Sequence, residues 1–298
     1  MALEKEIWLN DVVEGLFPDD SFVSKSRDDS EYVNGKKVHI PNAGAPSGVE
    51  ENRSRLPAAV NERTDYDVEY AMSEFTTNPI RISHADTVQL SYNKRNSVIA
   101  SDKKELHRKA HESILRKWAP VGDDDRIVET TGVPVEAHAP KATGKRKAFT
   151  KNDLKKVFTR MNVDDVPADG RYVLVDAIMY DQFIDSLTAK ESAAFFTAVD
   201  VKKGVCGELY GIKVMMRSTV LFYSGNNLST VAGADDSAAA LAWHEDAVSR
   251  ARGEVKMYGD EDSPTYYGDV YSFLLRAGGS KRRHDKKGVY AIVQDSEG

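Results

Sequence analysis

The chain is 298 residues long, 41% hydrophobic and 30% charged, with a formal charge of −6. That is enough apolar material for a sizeable core in one or two domains, and the acidic balance argues against tight wrapping of nucleic acid by the whole surface. A single cysteine, Cys206, excludes an intrachain disulfide framework; no basic stretch leads into an apolar run at the N-terminus and no apolar run is membrane-long, so neither a signal peptide nor a span is expected.

Residues 1–17 place Leu3, Ile7, Trp8, Val12 and Leu16 on one helical face, and Phe17-Pro18-Asp19-Asp20 stops the segment. Glu31–Ile40 is extended in character, with a turn at Asn34-Gly35. Pro41 to Asn61 is rich in Pro, Gly, Ala and Ser and cannot build a core. Thr64–Ser73 then alternates strictly. Tyr66, Val68, Tyr70 and Met72 fall on one face, and Asp65, Asp67, Glu69 and Ser73 on the other, the period-2 signature of a half-buried strand. Together these segments predict a two-stranded arm with a polar tip. A lone hairpin is marginal in water, so the apolar face needs cover from the chain's own core or from another subunit.

From His84 to Pro120, the residues Val88, Tyr92, Arg95, Ile99, Asp102, Leu106, Ala110, Ile114 and Trp118 recur at three- and four-residue steps, and no Gly or Pro intervenes before Pro120. The spacing predicts one helix of about thirty residues, roughly 45 Å long. A pair of helices broken near Asn96-Ser97 or Ser101-Asp102 is the alternative. The stripe is thin, so it packs on a sheet or a neighbouring chain while the other faces stay wet.

Beyond the rod, Val121–Asp125 reads as an acidic loop, Ile127–Val135 as a strand kinked at Gly-Val-Pro, and Ala137–Lys147 as a basic linker. Thr150 with Asp153 marks a helix start, followed by an apolar face of Leu154, Val157, Phe158 and Met161. Arg171–Asp176 is a buried-type strand, Ala177–Leu187 a helix, and Glu208–Met216 and Val220–Tyr223 strands, with a loop at Asn226–Asp236. Ala238–Arg252 fits helix or strand, and its alanines favour helix. Val255–Tyr258, Tyr267–Arg276 and Gly288–Val293 are strands, the last two joined by a charged turn. The class is α+β.

Catalytic signatures are missing. His107 and His111 are four apart on the predicted rod, but Arg108 stands where a zinc protease needs Glu, and two solvated helix histidines are the plainer reading. Ser224 has Phe222 where a nucleophile elbow needs glycine, and Cys206 has no histidine near it in sequence. Asp123-Asp124-Asp125 and Asp235-Asp236 are carboxylate runs in loops without calcium-loop spacing. No catalytic residue, cofactor or metal is therefore expected, and the chain reads as a non-enzyme. The cations cluster in two islands, Lys141, Lys145, Arg146 and Lys147, and Lys281, Arg282, Arg283, Lys286 and Lys287; neither has aromatic residues interleaved for base stacking.

The order of these features (N-terminal arm, two-stranded loop, long helix, α+β body, closing strands) resembles the major capsid proteins of tailed bacteriophages, the fold named for phage Hong Kong 97. ELYGIKVMMRSTV is similar to one of that family's strand segments. The stretch from AAALAWHEDAVSRARGEV to GVYAIVQ is similar to its C-terminal third. The resemblance implies an N-terminal arm at 1–31, an extended loop at 32–83 lying over the adjacent subunit, and a peripheral domain at 84–149 built on the spine helix. It further implies an axial domain at 150–250 and a return to the peripheral domain at 251–298. Tyr66, Val68, Tyr70 and Met72 would then be covered by a neighbour, and Lys281, Arg282, Arg283, Lys286 and Lys287 would face another subunit or DNA. The implied function is a structural shell: hexamers and pentamers closing into an icosahedral head around non-specifically bound double-stranded DNA, assembled in the host bacterial cytoplasm, with a portal and a separate scaffolding protein as partners and no membrane. About thirty residues precede the extended loop, too few for a built-in scaffolding segment, and no cleaved N-terminal piece is expected. An encapsulin-type compartment holding a protein shares the implied fold; a metal-dependent or nucleic-acid-processing enzyme is the remote alternative.

Overall fold

Strand β17 (Gly268–Lys281) is the wall against which the most distinctive parts of the molecule are built. The computed structural model describes residues 22–44, 49–54, 56–57, 60, 62–83, 93–122, 124–200 and 203–296, with backbone only at 93–101, 103, 107, 124 and 262. The 1–17 amphipathic face, and Val88 and Tyr92 of the predicted rod, lie outside the described residues. On one side β17 pairs antiparallel with β16 (Val248–Ser263), and on the other with β5 (Ser73–Thr76) and β6 (Ile80–Ser83). The short β1 (Arg27–Asp28) lies parallel to β16, completing a five-stranded sheet.

Helix α1 (Asn93–Trp118) crosses this sheet without a break at Asn96-Ser97 or Ser101-Asp102. Its described stripe is the predicted one: Leu106, Ala110, Ile114 and Trp118 are all buried. Leu106 and Ala110 pack on Phe273, Leu275 and Ala277 of β17. The wet faces carry helix-surface ion pairs such as Glu105–Arg108.

The arm is a three-stranded ribbon, β2 (Val33–Asn34), β3 (Lys37–Asn42) and β4 (Tyr66–Ala71). Gly35, with φ +62°, makes the predicted tight turn between the first two. The ribbon lies on the face of β17 away from α1, and two adjacent glycines explain how both approach so closely. A Cβ on Gly278 would stand 2.8 Å from Met72 Sδ and 3.2 Å from Tyr70 Cε2. One on Gly279 would stand 3.0 Å from Ile114 Cγ2 and 3.1 Å from Trp118 Nε1. Successive residues of a strand face opposite sides, so the pair removes side chains from both faces at one level.

The body is an eight-stranded sheet in the order β11 (Val205–Leu209), β12 (Ile212–Arg217), β10 (Arg171–Asp176), β15 (Ser237–His244), β13 (Leu221–Ser224) and β14 (Asn227–Leu228), with β18 (Val289–Val293) paired to β15 and to β7 (Ile127–Glu129). A two-stranded ribbon, β8 (Pro134–Glu136) with β9 (Lys145–Lys147), flanks it. Helices α2 (Lys151–Val163), α3 (Ala177–Asp185) and α4 (Ala189–Thr197) supply Leu154, Val157, Met161, Phe183 and Phe195 to the core that includes Val173, Ala240 and Ile292. A second core gathers Trp118, Phe22 and Trp243 with Leu174 and Leu241.

Several sequence expectations need correction. Ser237–His244 is a strand, although its alanines favour helix. Every residue in it is buried, and a strand covered on both faces accommodates small side chains and reads as one apolar run. Glu208–Met216 is two strands, because Tyr210 (φ +54°) and Gly211 (φ +70°) turn the chain back on itself. Ile127–Val135 is likewise two short strands in different sheets. Helix α4 was not anticipated, although Thr188 and Glu191 form a capping box there. Strand β17 belongs to the sheet under α1, and β18 pairs into the eight-stranded sheet.

Candidate functional site

The residues singled out from the sequence converge where the arm meets the body. In the register of β3 with β4, Val38 faces Tyr70 and Ile40 faces Val68. Val38, Ile40 and Tyr70 close over Ala251 of β16, with Val68 and Met72 packed against them. Ser249 Oγ donates to the Tyr70 hydroxyl at 3.3 Å, and burial pushes that phenol up to about 12. Tyr66, 45% exposed, stacks on His284 with ring centroids 4.5 Å apart. Asn42 Nδ2 donates to the Arg282 carbonyl at 2.9 Å. Along the Tyr66, Val68, Tyr70 and Met72 face, Tyr70 is thus buried by its own chain, Val68 and Met72 are half-buried, and Tyr66 stays exposed. Area removed from water stabilises equally well whichever chain supplies the cover, and here the glycine-lined strand lies within reach.

The basic turn after β17 is partly tied to the body and partly exposed: Lys281, Arg282 and Lys287 are half-buried, whereas Arg283 and Lys286 are exposed. Lys281 Nζ donates to the Ala119 carbonyl at 2.8 Å, beside the C-terminus of α1, where a cation is favoured. Arg282 Nε lies 3.2 Å from Oδ2 of the buried Asp29. Arg283 pairs with Asp285 at 2.6 Å, and its hydrogen bonds hold that carboxyl down at about 2. Lys287 Nζ is 3.7 Å from Asp164. Burial would raise the Asp164 carboxyl, but hydrogen bonds from Tyr290 and Arg126 outweigh it and hold the group below the ordinary range. Lys286 is exposed, in the left-handed region at φ +54°. In the other island Arg146 is buried, donating to Ser237 Oγ and to the Asp236 carbonyl, and Lys147 pairs with Asp295.

The catalytic leads do not assemble. His111 is buried against the Phe22 ring at 5.6 Å rather than solvated, and the His107 side chain is outside the described set. Cys206 is half-buried in β11 and burial raises its thiol, the opposite of activation. Asp236 accepts from Ser229 Oγ and the Gly233 N–H, holding its loop. His138 Nε2 lies 3.0 Å from Asp176 Oδ2, but Asp176 is the N-cap of α3, accepting from the Met179 N–H. Two of the open clefts among the described residues lie beside the arm and α1. One, of about 730 Å³, separates the arm root from the body between Pro41, Asn42, Val166 and Arg283. The other, of about 1040 Å³, runs between α1 and the β5–β6 segment, lined by Phe75, Ile80, Leu106 and Arg116. Both mix apolar and charged walls. No described helix is long and apolar enough to cross a membrane.

The arrangement has clear counterparts among solved structures. The capsid of Ralstonia phage GP4 superposes with a TM-score of 0.68, covering 96% of this chain and 91% of that one at 14% identity. The fold is that of the tailed-phage capsid proteins. The capsid of cyanophage P-SCSP1u matches this capsid fold with a TM-score of 0.61 over 93% of this chain and 89% of that one, at 13% identity. The capsid of a native GTA particle matches with a TM-score of 0.61 over 94% and 91%, at 10% identity. No family model matches the chain, and no curated protein matches its sequence. The predicted Hong Kong 97-type α+β fold is therefore the observed one. The Gly278-Gly279 wall and the Asp29–Arg282 pair were not anticipated; the doubled glycine within a strand was the available signal for the first.

Proposed function

We propose that this chain is the major capsid protein of a tailed phage or prophage, assembling into hexamers and pentamers of an icosahedral shell around double-stranded DNA, and that its site of action is the virion. The observation that carries the reading is the near full-length match of the capsid fold, arm and α1 included, to capsid subunits. In this reading the role is assembly, not catalysis, and α1 is the spine on which the subunit is built. The segment 32–83 is the extended loop; because its root is anchored on its own subunit, the tip beyond Asn42 and before Tyr66 is the part that reaches the next one. Residues of about 150–250 form the axial part near the capsomer centre. Shell interfaces of this kind bury more than roughly 2,000 Å². A portal and a separate scaffolding protein are the expected partners, with DNA bound non-specifically through charge.

The test is expression of the full chain alone and with candidate scaffolding proteins, followed by negative-stain microscopy. Closed shells support the reading; a chain that stays monomeric under every assembly condition overturns it. Replacing 44–63 with a short Gly-Ser turn is expected to leave a folded subunit that forms no shells. Nuclease-protected DNA in native particles, rather than a protein cargo, separates the phage head from an encapsulin-type compartment.

A further inference from the structure

The outward face of the arm carries a grouping that the shell reading does not use. In the β3–β4 register His39 stands directly opposite Glu69, and Asp67 lies two residues before Glu69 on the same face. His39 Nδ1 is 3.1 Å from Asp67 Oδ2 and 3.2 Å from Glu69 Oε1, and the three donor atoms all lie within 4.8 Å of one another. Three donors bound about 2.0–2.1 Å from a tetrahedral zinc stand about 3.3 Å from each other, so the imidazole already sits at coordination spacing from both carboxylates. Lys37 Nζ holds Glu69 Oε2 at 2.9 Å, which leaves Oε1 turned toward His39.

Proton chemistry alone leaves this group incompletely matched. A neutral imidazole has one N–H, and Nδ1 can give it fully to one of the two carboxylate oxygens facing it or share it weakly between both. Lys37 neutralises one carboxylate at most. A divalent ion would accept from all three groups at once, with waters completing its shell. Nitrogen plus carboxylate oxygen in a four-coordinate geometry suits zinc over the hard, oxygen-seeking cations.

We propose that His39 Nδ1, Asp67 Oδ2 and Glu69 Oε1 form a divalent transition-metal site of zinc type, clipping β3 to β4 at the root of the arm. The clip closes the stretch between residues 39 and 67, so it restrains the direction in which the tip leaves the body.

The test uses the full chain, stripped with a chelator and titrated with zinc chloride by calorimetry at neutral pH. One zinc per chain is expected. His39→Ala and Asp67→Asn, each checked for wild-type circular dichroism, are expected to weaken binding at least about tenfold. Lys37→Met, which removes the competing cation from Glu69, is expected to tighten it. No stoichiometric binding by the wild-type chain, or an affinity unchanged in either His39→Ala or Asp67→Asn, overturns the proposal. Because the titration is read on the unassembled chain, its failure is distinct from failure to form shells.

Discussion

Arg282→Met is expected to cost the subunit about 3 kcal/mol. Asp29 is fully buried; Oδ2 meets Arg282 Nε at 3.2 Å, and Oδ1 has no hydrogen-bond partner among the described residues. Methionine keeps the apolar stem but leaves the carboxylate in a dry site with no cation on its Arg282 side. Breaking one member of a buried pair costs roughly 3–5 kcal/mol. The Arg282 side chain is 23% exposed, so water reaches part of the site and the lower end applies. With a urea m-value of about 3 kcal/mol/M for a chain of this size, the midpoint should fall by about 1 M at neutral pH. The double variant Asp29→Leu with Arg282→Met removes both charges and should recover most of the loss, because the pair itself contributes little beyond its own desolvation. An Arg282→Met midpoint within about 0.2 M of wild type, or a double variant no more stable than Arg282→Met, would refute the reasoning.

Two further perturbations test the packing around this frame. Gly207→Ala should destabilise by about 1–3 kcal/mol in the same urea assay, since a Cβ there would stand 2.4 Å from the fully buried Phe195 ring; adding Phe195→Leu should relieve part of that loss. Tyr70 has its ionisation raised from 10.0 to about 12 by burial, so the stability it contributes is complete below about pH 10 and lost as pH rises through about 12; the wild-type minus Tyr70→Phe difference in tyrosinate absorbance should therefore titrate near pH 12, and a midpoint near 10 would count against its burial.

Much of the frame was legible because it is written in local periodicity. The Leu106–Trp118 stripe, the alternation of Tyr66 to Met72, the Thr150–Asp153 cap and the Arg171–Asp176 strand each require only neighbours in sequence. What escaped depends on tertiary partners. Ala238–Arg252 fits helix or strand, its alanines favouring helix, until both faces of Ala238–Ala242 are seen to be covered. The partner of the Tyr66–Met72 face could not be chosen from the sequence, since a neighbour and the chain's own β16–β17 bury the same area. The partners of the basic run at 281–287 could not be chosen from the sequence because its anions come from Asp29, Asp164 and Asp285, two of them far away along the chain. His39 joins Asp67 and Glu69 only through strand register, which no ligand-spacing motif records.

The paired glycines of β17 have a mechanical consequence. Side chains between two packed layers act as adjustable spacers, able to change rotamer and absorb a displacement. At Gly278 and Gly279 there are none, and bare peptide separates Met72 and Tyr70 of the arm side from Ile114 and Trp118 of α1. A pull on the tip that shifts β4 is therefore passed to the long helix through this bare backbone and through Lys117 of α1, which donates to Ser73 Oγ at 2.8 Å, so arm and helix should tilt together as one lever.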